Sequence, residues 1–183
     1  MGISSLEIST ALTAYLERYP DEAGLLAEPL QLVATGGDFT SRRNFRMHVT
    51  VGALLVRDEA EILLVDHRAY NILLQPGGHV EPTDVSLIDA AVRELAEETG
   101  IDPSTVTCVS PVPAYIEYGL VPARPAKDEP EHHHLDFGYA FATTHGDVGC
   151  IQESEVSGAT WYPLGDAERR VGHRIGRAVP ARA

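Results

Sequence analysis

Glu94, Glu97 and Glu98 are the residues of this 183-residue chain whose types and spacing could do the most chemistry. At i, i+3 and i+4 of a helix, their carboxylates share one face within about 6 Å of each other. Like charges so close destabilise a helix slightly in water, and more where water is excluded. A positive partner is therefore expected. Hard oxygen donors favour Mg²⁺ or Mn²⁺, ions that bridge protein carboxylates to phosphate oxygens. Taken alone, an ExxEE stretch is more often a solvated acidic face, so its surroundings must decide. The whole chain carries 14 Lys and Arg against 27 Asp and Glu, a formal charge of −13. Such a chain should repel nucleic-acid duplexes and anionic membranes, and it would need a divalent ion or placed arginines to hold a phosphorylated ligand.

A second polar constellation is EHHHLDFGYAF, residues 131–141. On a strand, period two puts His132, His134 and Asp136 on one face and His133, Leu135, Phe137 and Tyr139 on the other. The trio could line a cleft, bonding phosphate or base edges, or it could supply nitrogen ligands that shift preference toward Mn²⁺ or a softer metal. Alternatively these histidines cap a partly exposed edge strand. An imidazole here with the ordinary pKa of about 6.5 would leave an inflection in a pH profile. His79 is a candidate substrate contact, whereas His48 and His67 read as ordinary strand-end residues. Tyr115 and Tyr118 could stack on a base, although a strand tyrosine is more often packing. Cys108 and Cys150 fit no CxxC spacing and read as buried thiols.

These residues need elements to position them. Leu6, Leu12, Leu16 and Tyr19 fall near helical spacing over 5–19, closed by Pro20 and Asp21, which predicts an amino-terminal helical arm. Two paired strands are expected at Met47–Val56 and in EILLVDH, and a short one at Asn71–Leu74. The Pro76-Gly77-Gly78 turn then leads into an amphipathic helix over about 86–98, ended by Gly100. Further strands are expected near 105–118, 133–143 and 156–162, with a Pro- and acid-rich loop, VPARPAKDEPE, between two of them. The carboxy-terminal arginines 169, 170, 174, 177 and 182 read as a solvated helix. Strands first, a central helix, then more strands implies α/β packing, with helices covering a mixed sheet.

The stretch PGGHVEPTDVSLIDAAVRELAEETGI, residues 76–101, resembles the signature of the Nudix hydrolases: Gly, five residues, Glu, seven residues, then Arg-Glu-aliphatic-x-Glu-Glu-x-Gly-aliphatic. Here Gly78 is followed by five residues, Asp84, eight residues, and Arg93-Glu94-Leu95-Ala96-Glu97-Glu98-Thr99-Gly100-Ile101. The second half matches in full; the first departs by one inserted residue and by Asp84 in place of Glu. The resemblance runs over roughly 46–170, through Trp161-Tyr162-Pro163-Leu164. It implies a Nudix-type α/β/α sandwich with a mixed β-sheet, an arm over 1–45 and a basic tail over 171–183.

The same resemblance implies a pyrophosphohydrolase acting on a nucleoside di- or triphosphate derivative, dependent on Mg²⁺ or Mn²⁺, with water attacking phosphorus. Glu94, Glu97, Glu98 and the Gly78 carbonyl would hold the metal, and Arg93 would pin Glu94 or a loop acid. Asp84 either braces Arg93 or caps the helix start, and the cap is the expectation. A further carboxylate from a later loop, Glu155 or Glu153, would act as ligand or base. Substrate contacts would come from His79, Tyr118, His132, His134 and Asp136, with 119–131 as a lid. The competing readings are a non-catalytic Nudix-fold binding or regulatory module and an isopentenyl-diphosphate-isomerase-like enzyme. The expected partner is a small nucleotide or diphosphate, with a homodimer left open, and the expected location is cytoplasmic because the first residues carry no signal or myristoylation pattern.

Overall fold

The structure is a computed structural model that describes residues 2–68 and 71–179; Arg182 lies outside the described residues. Its centre is β1 (Met47–Arg57), whose odd and even positions serve different ends. Met47, Val49, Val51, Ala53 and Leu55 enter the larger apolar core, while Leu54 and Val56 enter a smaller one on the opposite face. β1 pairs in parallel with β7 (His132–Thr143) along its whole length, from Met47 beside His133 to Arg57 beside Thr143. On its other side it meets two antiparallel strands in succession. These are β4 (Gly77–His79) beside Thr50–Gly52, and β2 (Glu61–His67) beside Val56 and Arg57. β3 (Ile72–Leu74) and β8 (Val156–Pro163) pair with β2, and β5 (Thr107–Cys108) and β6 (Tyr115–Val121) pair with β7. The sheet is mixed, as expected.

Helices cover both faces. α1 (Ser5–Arg18), α2 (Ala27–Ala34) and α3 (Leu87–Thr99) contribute Ile8, Leu12, Tyr15, Leu32, Val33, Leu87, Ala90, Ala91 and Leu95 to the larger core. α4 (Leu164–Val171) and the turn His173–Ala178 close the smaller one through Ala167, Ile175 and Ala178. α3 has a start and a stop written in its sequence. Ser86 accepts from the Asp89 N–H at one end, and Gly100 at φ 67° ends the helix at the other.

Of the carboxy-terminal arginines, Arg169 and Arg170 are exposed on α4 as expected, but Arg174 and Arg177 are not part of a solvated helix. Arg177 donates to Glu22 and Tyr15 (2.8 and 2.9 Å), and Arg174 bonds the Ile116 carbonyl, so the turn is fastened to the amino-terminal helices. The thiol expectation also divides: Cys108 is half-buried and Cys150 is exposed. Among the described residues no helix is long and apolar enough to cross a membrane.

Candidate active site

The carboxylates of α3 meet the sheet at β4, where two glycines make the approach possible. A Cβ on Gly77 would run into the Val51 carbonyl, and one on Gly78 would lie 2.6 Å from the Glu94 carboxylate. With both absent, Glu98 Oε2 accepts the Gly77 N–H at 2.9 Å. Glu98 is 1% exposed, and its other oxygen has no hydrogen-bond partner among the described residues. Burial pushes its pKa up to about 8 and that of Glu94 up to about 7, each also feeling the other acids and Glu155. Glu97 is the outermost of the three, with a half-exposed side chain.

Arg93 organises the loop ahead of the helix. Its Nε and Nη2 donate to the two oxygens of Asp84, both at 2.9 Å, Nη2 also bonds the His79 carbonyl, and Nη1 reaches Glu94 and Glu97, each at 3.0 Å. The Asp84 bond is the main reason its guanidinium is held far above the ordinary range. Against the push of burial, Arg93 and the Glu81 N–H hold the Asp84 carboxyl below its usual value. The expected cap is therefore corrected: Ser86 caps α3, and Asp84 braces Arg93. The residue inserted between them is accommodated in the turn without breaking the pair.

The other half of the site lies on the opposite face of the sheet. Register places His48 beside His134, Thr50 beside Asp136, and His79 beside Thr50, so these side chains share one face. His132 completes it, its Nε2 3.2 Å from that of His134. His48 is thus no ordinary strand-end residue; it is buried, and its ring centroid lies 4.6–5.1 Å from those of His79, His132 and His134. Burial, helped by nearby arginines and histidines, pushes His79 and His134 down to about 3. Both are neutral near pH 6.5, so the inflection expected there does not come from them.

Asp136 is held by Thr50 (2.8 Å) and the Tyr115 hydroxyl (2.6 Å), and burial raises its pKa. Tyr115 reaches it by lying across two glycines paired over β1 and β7, Gly52 and Gly138, where a Cβ would strike the phenol ring. It is a support for Asp136, not a stacking surface.

A cavity of about 480 Å³ opens on this face. Gly77, Gly78, His79, His134, Asp136 and Glu155 line it, and so do His67, Arg42 and Arg124. Glu155 is thereby brought to the site, and Glu153 is not in the lining. Tyr118 is not there either. It pairs with Leu135, which faces the core, and stacks on His133 with ring centroids 4.5 Å apart. Arg42 and Arg124 were not legible as site residues, because the sequence shows only arginines in polar loops with no motif around them. His48 and Thr50 were findable, since they alternate with Met47, Val49 and Val51 along β1.

The donors at β4 are carboxylates and a carbonyl. Glu98 Oε1, buried with no hydrogen-bond partner among the described residues, and the absent Cβ of Gly78 leave oxygen donors and room of the kind a hard divalent ion takes.

The sequence model of the NUDIX domain matches residues 46–181. The chain belongs to the Nudix family. Its segment is 27% identical over 117 residues to a probable DHNTP pyrophosphohydrolase of Lactococcus lactis, covering 62% of this chain and 66% of that protein. Over 59 residues it is 48% identical to the phosphatase NudJ of Escherichia coli K12, covering 31% and 37%. The chain thus spans less than two thirds of the length of these curated relatives. Among solved structures, a Caenorhabditis elegans Ap4A hydrolase matches with a TM-score of 0.55 and 20% identity, over 72% of this chain and 91% of that one. The dihydroneopterin triphosphate pyrophosphohydrolase of E. coli matches at 0.54 and 15%, over 72% and 90%. At these identities the structural likeness establishes the Nudix fold: a mixed sheet between helical layers.

Proposed function

We propose that this Nudix protein is a hydrolase that depends on Mg²⁺ or Mn²⁺ and cleaves a pyrophosphate bond in a nucleoside di- or triphosphate derivative, by water attack on phosphorus. The observation that carries the reading is Glu98, buried beside Glu94 with one oxygen on a backbone N–H and the other unpartnered. A fold that buries Glu98 with no cation paired to it among the described residues is arranged for one that arrives with the substrate. The names of the Lactococcus and Escherichia relatives, a pyrophosphohydrolase and a phosphatase, support the same reaction class.

Glu94, Glu97, Glu98 and the Gly78 carbonyl would hold the ion. When bound, it would screen the pyrophosphate, acidify water and offset charge on the leaving phosphate. The chain's own residues do the rest. Arg93 fixes the Asp84 loop, the His79 carbonyl and Glu94 in one frame, so the donors keep their places. Glu155, on the cavity wall, would take a proton from the attacking water. Arg42 and Arg124 can meet phosphate oxygens, and the neutral His79 and His134 can bond phosphate or base edges. The cavity volume lies within the range of small-ligand sites.

A panel of nucleotide sugars, dinucleoside polyphosphates, nucleoside triphosphates and oxidised deoxynucleoside triphosphates, read by phosphate release, tests the proposal. At least one should be hydrolysed with Mg²⁺ or Mn²⁺ and none in excess chelator. Full activity in chelator would overturn the metal mechanism.

A further inference from the structure

His48, His79 and His134 come from β1, β4 and β7, and the sequence spreads them over almost ninety positions. Register nevertheless brings one nitrogen of each to within 4.8 Å of the other two. We infer that these three histidines form a second metal site, distinct from the glutamates, for a divalent ion of the zinc type. Nothing in it rests on the hydrolase reading.

Hydrogen bonding shows which nitrogens are available. His48 Nδ1 faces the Asn44 carbonyl at 3.2 Å, and a carbonyl can only accept, so Nδ1 carries the proton. That leaves the lone pair on Nε2, a buried atom with no hydrogen-bond partner among the described residues. An imidazole whose far N–H is fixed by a backbone carbonyl is the usual state of a metal-ligating histidine.

His134 is set in the same way, at one remove. His132 Nδ1 donates to the Pro130 carbonyl at 2.7 Å, so in the neutral ring its Nε2 is an acceptor, and that Nε2 lies 3.2 Å from His134 Nε2. His134 Nε2 therefore donates and Nδ1 keeps the lone pair. His132 is a positioning residue, turning His134 as Asn44 turns His48.

The donor set selects the ion. Three imidazole nitrogens suit Zn²⁺, Co²⁺ or Ni²⁺ far better than Mg²⁺, which demands oxygen. Three protein ligands would also leave a fourth position, and His79 and His134 both line the cavity, from which a further ligand would enter. Two cations line the same cavity, Arg42 and Arg124. Each pairs with Glu129, at 3.1 and 2.7 Å, which offsets the charge they would turn on an ion.

The test uses the full chain, stripped by chelator and dialysed against Zn²⁺ in millimolar Mg²⁺, which occupies oxygen sites. The wild type should retain one Zn²⁺, and Co²⁺ in its place should give the intense visible absorption of a low-coordinate, nitrogen-ligated ion. The Glu97→Gln/Glu98→Gln double variant should bind Zn²⁺ equally. His134→Gln and His79→Gln should each weaken binding by about 100-fold or more, with the melting temperature of the zinc-free protein showing that they fold. Should His134→Gln fail to fold, His79→Gln, at the short β4 strand, gives the same reading. Absence of stoichiometric Zn²⁺ in the wild type, its survival in a folded His79→Gln or His134→Gln protein, or its loss in the glutamate variant would overturn the site.

Discussion

Two buried glutamates in this molecule meet opposite fates. Glu22, 6% exposed, accepts from the Tyr15 hydroxyl (2.7 Å) and from Arg177 (2.8 Å), with Arg174 3.7 Å away. Against the push of burial, these partners hold its pKa below the ordinary carboxylate value. Glu98, 1% exposed, has one backbone N–H, and burial drives it up to about 8. Both are nearly closed to solvent, although Glu98 is packed more deeply and so feels burial more strongly. The second difference is whether the chain supplies the counter-charge. Where it does, as at Glu22, the carboxylate ties the amino-terminal helices to the carboxy-terminal turn. Where it does not, the position is open to an ion from outside.

Exchanging each acid for its amide separates the two roles. Glu98→Gln should lower kcat by about 100-fold or more while leaving the metal-free protein at pH 8 or above as stable as the wild type or more so, since there a costly buried charge is removed. Glu22→Gln should do the reverse. Leaving two arginines without their carboxylate should cost about 3 kcal/mol in urea unfolding, with kcat per folded molecule unchanged. Equal stability losses in the two variants would erase the contrast.

Asp84→Ala falls between them, because Asp84 is paired internally yet steers the site. It should cost about 2 kcal/mol and also lower kcat by about tenfold, as Arg93 loses its two-point anchor and with it the fixed position of Glu94. A variant that melts early but turns over normally would show that the brace serves only the loop.

The two acids should also give stability opposite pH slopes. Glu94 and Glu98 have folded pKa values raised above the ordinary 4.5, to about 7 and about 8. Their contribution in chelated protein is fully present below the ordinary value and is lost as pH rises through the folded ones. The loss reaches at most about 1.4 kcal/mol per group per pH unit within that window. Glu22, with a lowered pKa, contributes above its ordinary value and loses that contribution as pH falls. Denaturation of chelated protein between pH 6 and 9 should show stability decreasing, with the decline shallower in Glu98→Gln.

The smallest effect is expected at Tyr118→Phe. Tyr118 is on the face away from the cavity, so kcat/KM should change by less than about twofold. A larger change would return this residue to the substrate site.

The α3 glutamates were legible because their spacing is local. Three acids at i, i+3 and i+4, a capping serine and a terminal glycine specify a helix and one face of it without reference to the rest of the chain. β2 was legible for the same reason, at its observed limits. α2 was not, since eight residues containing Pro29 carry little periodic signal and are held by packing against α1 and the sheet. The histidine face was half legible. Alternation in β7 aligned His132, His134 and Asp136, but pairing His48 with His134 and His79 with Thr50 depends on strand register, which no local pattern encodes. Asp84 was misread because a short acid just ahead of a helix is an ordinary cap, and its bond to Arg93 crosses nine residues of turn and helix.

The most direct test of the account is the melting temperature of chelated protein at pH 8, with and without saturating Mg²⁺, in the wild type and in Glu98→Gln. The wild type should rise by about 4 °C or more on adding Mg²⁺, and Glu98→Gln should hardly move. No shift in the wild type, or the same shift in both proteins, would contradict the claim that the unpartnered carboxylate awaits a cation.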